Sequence, residues 1–463
     1  MTVRDFSGHL LVLGLGASGE AAAEWALARR EDGAAVEVTV VDSMAGEALE
    51  VRAARLRKRG ARVLLGTDDL PAADLIVASP GIPPSSPIMQ EARASGAPVI
   101  SEIELAYRVS SAPWVAITGT NGKTTTTALV THLLREAGFA AEPAGNFGPP
   151  AVRVACEVGP AGVIVSEVSS FQLSLVERFH PAVAVLLNVT PDHLDYHGSM
   201  AAYTADKARI FANQLPGDVA VIDVDDEGSA AMTPLAASRG AQTLTVSRMT
   251  TQKQGAYLRD GMIVFDDGSG PLDVLPAADL AIRGEHNVSN ALAAVAVVAS
   301  MGADPGSLGR GLMSFRPLEH RLEPAGVVGG VEYFNDSKAT NPDAVIKALT
   351  AFSGQPVVLL LGGRNKGVDL RPLAAVAAAQ CKAVVMFGEA AAEFAAALSG
   401  ADVSRSSVAT LADAVEAASR LAAPGDAVLL SPGCTSFDEF ADYTERGRRF
   451  KRFVSLMAGG EPS

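Results

Sequence analysis

Cysteine is scarce in this 463-residue chain, with only Cys156, Cys381 and Cys434. Scattered and odd in number, they make no disulfide framework, and no C-x-x-C pair or Cys/His cluster offers a zinc site. A reducing, cytoplasmic setting is the expectation. Basic charge is short too. Thirty-eight Lys and Arg face 52 Asp and Glu, a formal net charge of −14. That balance argues against binding nucleic acid or an acidic membrane, because phosphate surfaces attract basic faces. It leaves room for a small anion, since a few cations and backbone N–H groups make a local positive pocket. Long apolar runs are missing as well. The longest uncharged stretch, Asn287 to Ala303, contains Asn, Ser and Gly and falls short of a bilayer; it reads as a buried helix. Near the start, Arg4 is followed by Asp5, and the run Leu10–Leu13 dissolves into glycines. No signal peptide is expected there. Internal repeats are lacking.

What is present is a globular balance, 48% hydrophobic and 19% charged, with enough apolar content for several cores. The length suggests about three domains. Short Val/Ile/Leu runs alternate with amphipathic or Ala-rich stretches, as in HLLVLG, PWVAITG, GVIVSEV, PVVLLLGG and DAVLLSPG. Such runs read as strands buried on both faces of parallel sheets, joined by helical crossovers. The expectation is an α/β protein of three domains: 1–100 Rossmann-like, 101–316 a P-loop ATPase-type domain, and 317–463 Rossmann-like again. The stretches around 101 and 317 read as connections. Between Thr243 and Leu280, Thr/Val and Asp-Gly patches suggest hairpins, hence a small antiparallel insertion in the middle domain.

The strongest local signal is TGTNGKTTT, Thr118 to Thr126. It follows an apolar strand and precedes a helical run, the arrangement of a phosphate cradle. Gly119 and Gly122 let the backbone curl, with Thr120, Asn121 and Thr125 around the turn. Lys123 would neutralise terminal phosphates, and the Thr124 hydroxyl would ligate Mg²⁺. The generic P-loop has a glycine where this chain has Ile117. Glu167 ends a later strand and is placed to hold Mg²⁺ directly or through water; the bland reading is an exposed strand end. In NVTPDHLDYHG, the residues His193, Asp195 and His197 crowd one loop. His193 is read as a metal or substrate contact, against a solvated turn.

GLGASG sets Gly14, Gly16 and Gly19 in G-x-G-x-x-G spacing, with Ala17 and Ser18 inside the turn and Asp42 ending the next strand. The outline suits a nucleotide on a helix N-terminus, or merely close helix–strand packing. Asn287 and Asn290 share a helix face and either grip an adenine or cap the helix. EHRLE carries His320 and Arg321. NDSKATNPDA carries Asp336, Lys338 and Thr340, GGRNKG carries Lys366, and SPGCTSFDEF carries Ser436 and Phe437. Each has a bland reading as a turn or cap, but all follow strands.

Taken in order over nearly the whole chain, TGTNGKTT, the Glu167 strand, NVTPDHLD, GEHNVSNALAA, EHRLE and NDSKATN resemble the Mur ligase family. LLLGGRNKG and SPGCTSFDEFADYTERG look most like its D-glutamate-adding members. The resemblance implies ATP and Mg²⁺ as cofactors and an acyl-phosphate route to an amide bond in peptidoglycan precursor synthesis. It implies UDP-N-acetylmuramoyl-L-alanine and D-glutamate as substrates. Gly14, Gly16, Ala17, Ser18, Asp42, Ser79, Gly81 and Asn146 would face the UDP substrate. Arg321, Asp336, Asn287 and Asn290 would join the phosphate loop on ATP, and Lys338, Thr340, Lys366, Ser436 and Phe437 would hold the amino acid. Lys207 would be carbamylated and, with Thr124, Glu167 and His193, would hold the metal; from its local pattern alone it reads as a surface lysine. Lys123, His193 and Lys207 are the implied catalytic residues, and a monomer is expected. A family member adding another amino acid and a folylpolyglutamate synthetase-like ligase are the alternatives. A nicotinamide dehydrogenase would leave TGTNGKT idle, and a non-catalytic nucleotide sensor would leave the polar edges of the third domain unexplained.

Overall fold

In a computed structural model, which describes residues 6–459, the chain is a three-domain α/β protein built on three twisted sheets. The first sheet runs β1 (Gly8–Leu13), β2 (Val36–Asp42), β3 (Arg62–Leu65), β4 (Leu75–Ala78) and β5 (Val99–Ser101), in spatial order β3-β2-β1-β4-β5. All its pairs are parallel. LLVL in β1 is wholly buried, as expected of a strand covered on both faces.

The second sheet holds β6 (Trp114–Thr118), β7 (Ala140–Gly145), β8 (Gly162–Glu167), β9 (Val183–Leu186), β10 (Val219–Asp223), β11 (Gln242–Ser247), β12 (Gly255–Arg259), β13 (Met262–Asp266) and β14 (Pro271–Pro276). Its order is β14-β13-β12-β11-β10-β9-β6-β8-β7. The hairpin expectation for 243–280 becomes something more continuous. β11 pairs in parallel with β10, and only β12 to β14 are antiparallel. They extend the main sheet as its edge, so the insertion is not a separate layer.

The third sheet holds β15 (Glu323–Val328), β16 (Val331–Asn335), β17 (Val357–Gly362), β18 (Ala383–Phe387), β19 (Ser404–Ser407) and β20 (Ala427–Gly433), ordered β15-β16-β20-β17-β18-β19. Only β15 is antiparallel to its neighbour.

Compactness divides the chain into two units. One runs through Leu280 and takes in Val288–Ser314; the other is Ala281–Asn287 with the chain from Phe315 onward. The first two sheets therefore share a unit. The stretch near 101, read as a plain connection, is β5 followed by the helix Glu102–Val109. Two buried carboxylates hold that helix in place. Glu104 accepts from the N–H groups of Glu177, Arg178 and Phe179 at 3.0, 2.9 and 2.9 Å, and from Arg108 at 2.6 Å. Glu102 accepts from Val152 N–H at 2.7 Å, at the start of the helix Ala151–Glu157. The stretch Asn287–Ala303 falls mostly in the helix Glu285–Ser300, buried from Ala291 to Val298.

Candidate active site

The phosphate loop follows β6 and opens the helix Lys123–Glu136. Gly122 has φ +86°, and a Cβ there would come within 2.4 Å of Asn290 Oδ1. Gly119 has φ +156°, with Leu187 Cβ 3.0 Å from where its own Cβ would stand. Both φ values favour glycine, and at Gly122 a side chain would also displace Asn290. Lys123 Nζ donates to the carbonyls of Gly119 and Thr120, each at 2.9 Å. This folds the ammonium over the loop where a terminal phosphate would compete for it.

Neighbouring elements brace the loop. Asn188, just beyond β9, accepts from Asn121 N–H at 2.7 Å and donates to the Asn121 carbonyl at 3.1 Å. Thr120 Oγ1 donates to the Thr190 carbonyl at 3.0 Å and lies 3.1 Å from the Tyr203 hydroxyl. On the helix side, Thr126 Oγ1 donates to Asn290 Oδ1 at 3.1 Å in a buried bond. Thr124 and Thr125 are half-buried at the helix start.

Lys207 is not a surface lysine. It is 1% exposed, and its Nζ donates to the Gly119 carbonyl at 2.8 Å. Burial, reinforced by Lys123 and opposed by Asp192, pushes its pKa down to about 7. The amine is therefore partly neutral near neutral pH, and only the neutral form reacts with an electrophile.

Glu167, at the end of β8, is 3% exposed. One carboxylate oxygen accepts from Asn146 Nδ2 at 3.0 Å; the other, Oε2, is buried without a hydrogen bond. A buried unpaired carboxylate oxygen is costly, and a cation would satisfy it. No three His, Cys, Asp or Glu come together as a metal site among the described residues. His193 is half-exposed, has φ +51°, and lies 3.5 Å from Asp192. Its ring packs against Phe171, with centroids 4.8 Å apart. His197, grouped with it by sequence, is instead buried in a network: Nδ1 lies 2.8 Å from Asp206 and Nε2 3.0 Å from Ser170 Oγ. The side chain of Asp195 lies outside the described residues.

In the first sheet, Gly14 has φ +84° and its carbonyl accepts from Ser79 Oγ at 3.1 Å. Asp42 uses both oxygens locally, accepting from Leu15 N–H at 2.7 Å and Met44 N–H at 2.9 Å. It shapes the turn as well as facing it. Gly16 caps the helix Ala17–Glu31; it is exposed with Ala17, while Ser18 is half-buried. Gly19 serves packing, since a Cβ there would sit 1.9 Å from the Gly14 carbonyl. Gly81 and Asn146 are exposed.

The second unit gathers its own polar set. Asp336 is buried, accepts from Ser431 Oγ at 2.7 Å and Leu322 N–H at 3.2 Å, and is pushed up to about 7 by burial. Arg321 is half-buried and electrostatically opposes that rise. Asn287 Nδ2 donates to the Arg283 carbonyl, one turn back, at 2.6 Å. Lys338 Nζ lies 2.9 Å from the Tyr443 hydroxyl and 4.0 Å from its ring centroid. Thr340 is half-buried, Lys366 and Phe437 are exposed, and Ser436 is buried. Sequence reasoning missed Arg446. It is wholly buried and donates to Ser337 Oγ at 2.9 Å, the Ser337 carbonyl at 3.0 Å and the Cys434 carbonyl at 3.1 Å. The run RGRRFKR hides it, because only helical phase separates a buried arginine from its exposed neighbours.

A strand, a glycine-rich turn and a helix N-terminus, with an ammonium folded over the turn, define a phosphate-binding α/β protein. Three family models match it: the Mur ligase MurD-like N-terminal domain over 8–101, the Mur ligase middle domain over 117–298, and the Mur ligase glutamate ligase domain over 320–434. The chain belongs to the Mur ligase family. It is 42% identical to the UDP-N-acetylmuramoylalanine–D-glutamate ligase of Koribacter versatilis, with 98% of each chain covered. Its identity to the enzyme of the same name from Pelotomaculum thermopropionicum is 41%, covering 99% of this chain and all of that one. Among solved structures, MurF from Acinetobacter baumannii shares the fold with a TM-score of 0.60 at 18% identity, covering 97% of this chain and 93% of that one. The UDP-N-acetylmuramate-alanine ligase MurC from Thermotoga maritima shares it with a TM-score of 0.59 at 20% identity, covering 97% and 100%.

Proposed function

We propose that this protein joins D-glutamate to UDP-N-acetylmuramoyl-L-alanine at the expense of ATP, in the cytoplasm, as a step of peptidoglycan precursor synthesis. The observation that carries this reading is identity above 40% along essentially the full length of ligases bearing that name.

The residues divide the task. An acid and an amine do not condense in water unaided, because the carboxylate oxygen leaves poorly. The acceptor carboxylate attacks the γ-phosphorus, the bond to the β–γ bridging oxygen breaks, and ADP departs. The amine of D-glutamate then attacks the acyl carbon, phosphate leaves, and the amine's excess protons pass to solvent or base. Lys123 would leave its two loop carbonyls for the phosphates and stabilise charge on the transferring group. The N–H groups from Gly119 to Thr125 would align that group.

Thr124, Glu167, His193 and a carbamate on Lys207 are the residues that would hold Mg²⁺. The ion would supply positive charge at the phosphates. The Gly14–Ser18 turn, Asp42, Ser79, Gly81 and Asn146 would meet the UDP substrate. Lys338, Thr340, Lys366, Ser436 and the Phe437 N–H would meet the amino acid, with Arg321, Asp336, Asn287 and Asn290 as nucleotide contacts. The test is phosphate release from ATP with each substrate alone and with both. Release that needs both UDP-N-acetylmuramoyl-L-alanine and D-glutamate supports the assignment; release with L-alanine or a diamino acid in place of D-glutamate refutes it.

A further inference from the structure

Besides Thr124, the side chains proposed to hold Mg²⁺ come from separate segments. Glu167 ends β8, His193 precedes the short helix Leu194–His197, and Lys207 lies on the helix Met200–Ala208. In the sheet, β8 and β9 flank β6 on opposite sides. The helix that carries Lys207 follows β9, outside the ladder. Strand pairing therefore fixes Glu167 against β6 but does not fix Lys207 against Glu167.

His197 is where these segments meet. Its side chain is 1% exposed. Nδ1 lies 2.8 Å from Asp206 Oδ2, on the residue before Lys207, and Nε2 lies 3.0 Å from Ser170 Oγ, just past Glu167 in the chain. In a neutral imidazole the two bonds are complementary: one nitrogen donates to the carboxylate, and the other accepts from the hydroxyl. The ring stacks on Phe171, with centroids 5.6 Å apart and planes at 5°. Phe171 packs in turn on His193 at 4.8 Å. Tyr203, one turn before Lys207, covers the ring at 5.1 Å. Two caps put the ring there. Gly198, at φ +76°, ends the short helix, and Ser199 Oγ accepts from Ala202 N–H at 3.2 Å to start the next. A ring enclosed by aromatics and bonded at both nitrogens is held in one orientation. It therefore passes the position of one segment to the others.

We propose that His197 is a positioning residue: it holds the segments of Glu167, His193 and Lys207 at the spacing that the cation and the Lys207 carbamate require. This rests on the metal-holding roles proposed above. His197 acts through its neighbours and not on the reacting atoms.

The experiment compares His197→Phe with wild type. Phenylalanine keeps a ring in the stack but bonds neither Asp206 nor Ser170. Asp206 is a quarter exposed and can turn to water, so the melting temperature should stay near wild type. Two readouts should move. The free Mg²⁺ needed for half-maximal turnover at saturating ATP should rise roughly 10–100-fold, the usual effect of removing a residue that orients metal ligands. The carbamate carbon signal with ¹³C-bicarbonate, read without ATP or either substrate, should weaken. The KM for D-glutamate should stay at the wild-type value. His197→Asn, whose amide can reach Asp206 from the Nδ1 side, should restore most of both readouts. Ser170→Ala removes the other bond without touching the ring. It should raise the Mg²⁺ requirement too, which covers the case of a His197→Phe chain that does not fold. Failure of the D-glutamate reading would show already in the wild type, as absent turnover, and a carbamate signal weakened in His197→Phe would still support the brace. If wild type forms no carbamate, the reading of Lys207 fails, while a raised Mg²⁺ requirement in His197→Phe still supports the brace. Mg²⁺ requirement and carbamate at wild-type levels in a folded His197→Phe overturn the proposal. So does an equal rise in the Mg²⁺, ATP and D-glutamate constants, the mark of a merely structural ring.

Discussion

Lys207 Nζ lies 2.8 Å from the Gly119 carbonyl oxygen, which also accepts from Lys123 Nζ at 2.9 Å. Two lysines thus converge on one carbonyl, and beside burial the Lys123 charge makes the Lys207 charge harder to keep. With a pKa about 7, roughly half of the Lys207 side chains are neutral at pH 7, against roughly one in a few thousand for an ordinary lysine. With ¹³C-bicarbonate, a carbamate carbon signal should appear in the wild type and be absent in Lys207→Ala. It should fade steeply below pH 6, because the ammonium must release two protons to become the carbamate. A signal that persists in the alanine variant would refute the assignment to this residue.

Lys123→Ala should lower turnover on the order of 10²–10³-fold or more, as for loss of a donor that acts on developing charge. Its melting temperature should stay close to wild type, since the bonds lost are to the loop's own carbonyls. Turnover near wild type at saturating Mg²⁺-ATP would remove Lys123 from the phosphate site.

The loop was legible because its residues are contiguous and their types state their chemistry. Its braces were not. Asn188 reaches Asn121 because β9 lies beside β6, and Asn290 reaches Thr126 from a helix far along the chain. Nothing local in either asparagine tells a brace from a cap. Lys207 was misleading locally, since its burial depends on Tyr203 and the loop lying over it. The parallel strands were readable from their unbroken Val/Ile/Leu runs. The antiparallel insertion of β12 to β14 was readable as hairpins, but not its place at the edge of the main sheet, because alternation shows a hairpin and not which sheet it joins.

Glu102 gives a pH test of stability. Burial raises its folded pKa to about 7 from 4.5. For an acid so raised, the unfolded chain ionises first, so folding stability falls as pH climbs from 4.5 to 7 and then levels. Glu102→Gln keeps an oxygen for Val152 N–H. It should therefore melt higher than wild type at pH 8, by an amount corresponding to about 3 kcal/mol at most, with the difference vanishing near pH 4.5. A variant destabilised equally at both pH values would show that the carboxylate is ionised without penalty.

Arg446→Leu should destabilise the second unit on the order of 3 kcal/mol, because the buried carbonyls of Ser337 and Cys434 lose their donor. Chemical denaturation with a probe confined to that unit measures this. A change under about 0.5 kcal/mol would mean that water replaces the guanidinium.

Lys366→Ala should raise the D-glutamate KM by roughly tenfold, the loss expected for one charge-assisted contact. The ATP KM should change little. Lys366 is exposed and so is free to meet a ligand. Equal rises in both constants would place it elsewhere.

Asn290 packs so close to Gly122 that a single methyl there would come within 2.4 Å of its oxygen, and it also bonds Thr126. This has a consequence for synthesis on the ribosome. The strand and turn of the phosphate loop emerge early, but the helix that closes against them is made only after the whole second sheet. Until that helix docks, Thr126 lacks its buried partner and the turn lacks its wall. The nascent loop should therefore acquire nucleotide affinity late and abruptly, when residues near 300 clear the exit tunnel, and a chain arrested at Pro276 should bind ATP poorly even though TGTNGKTTT is complete.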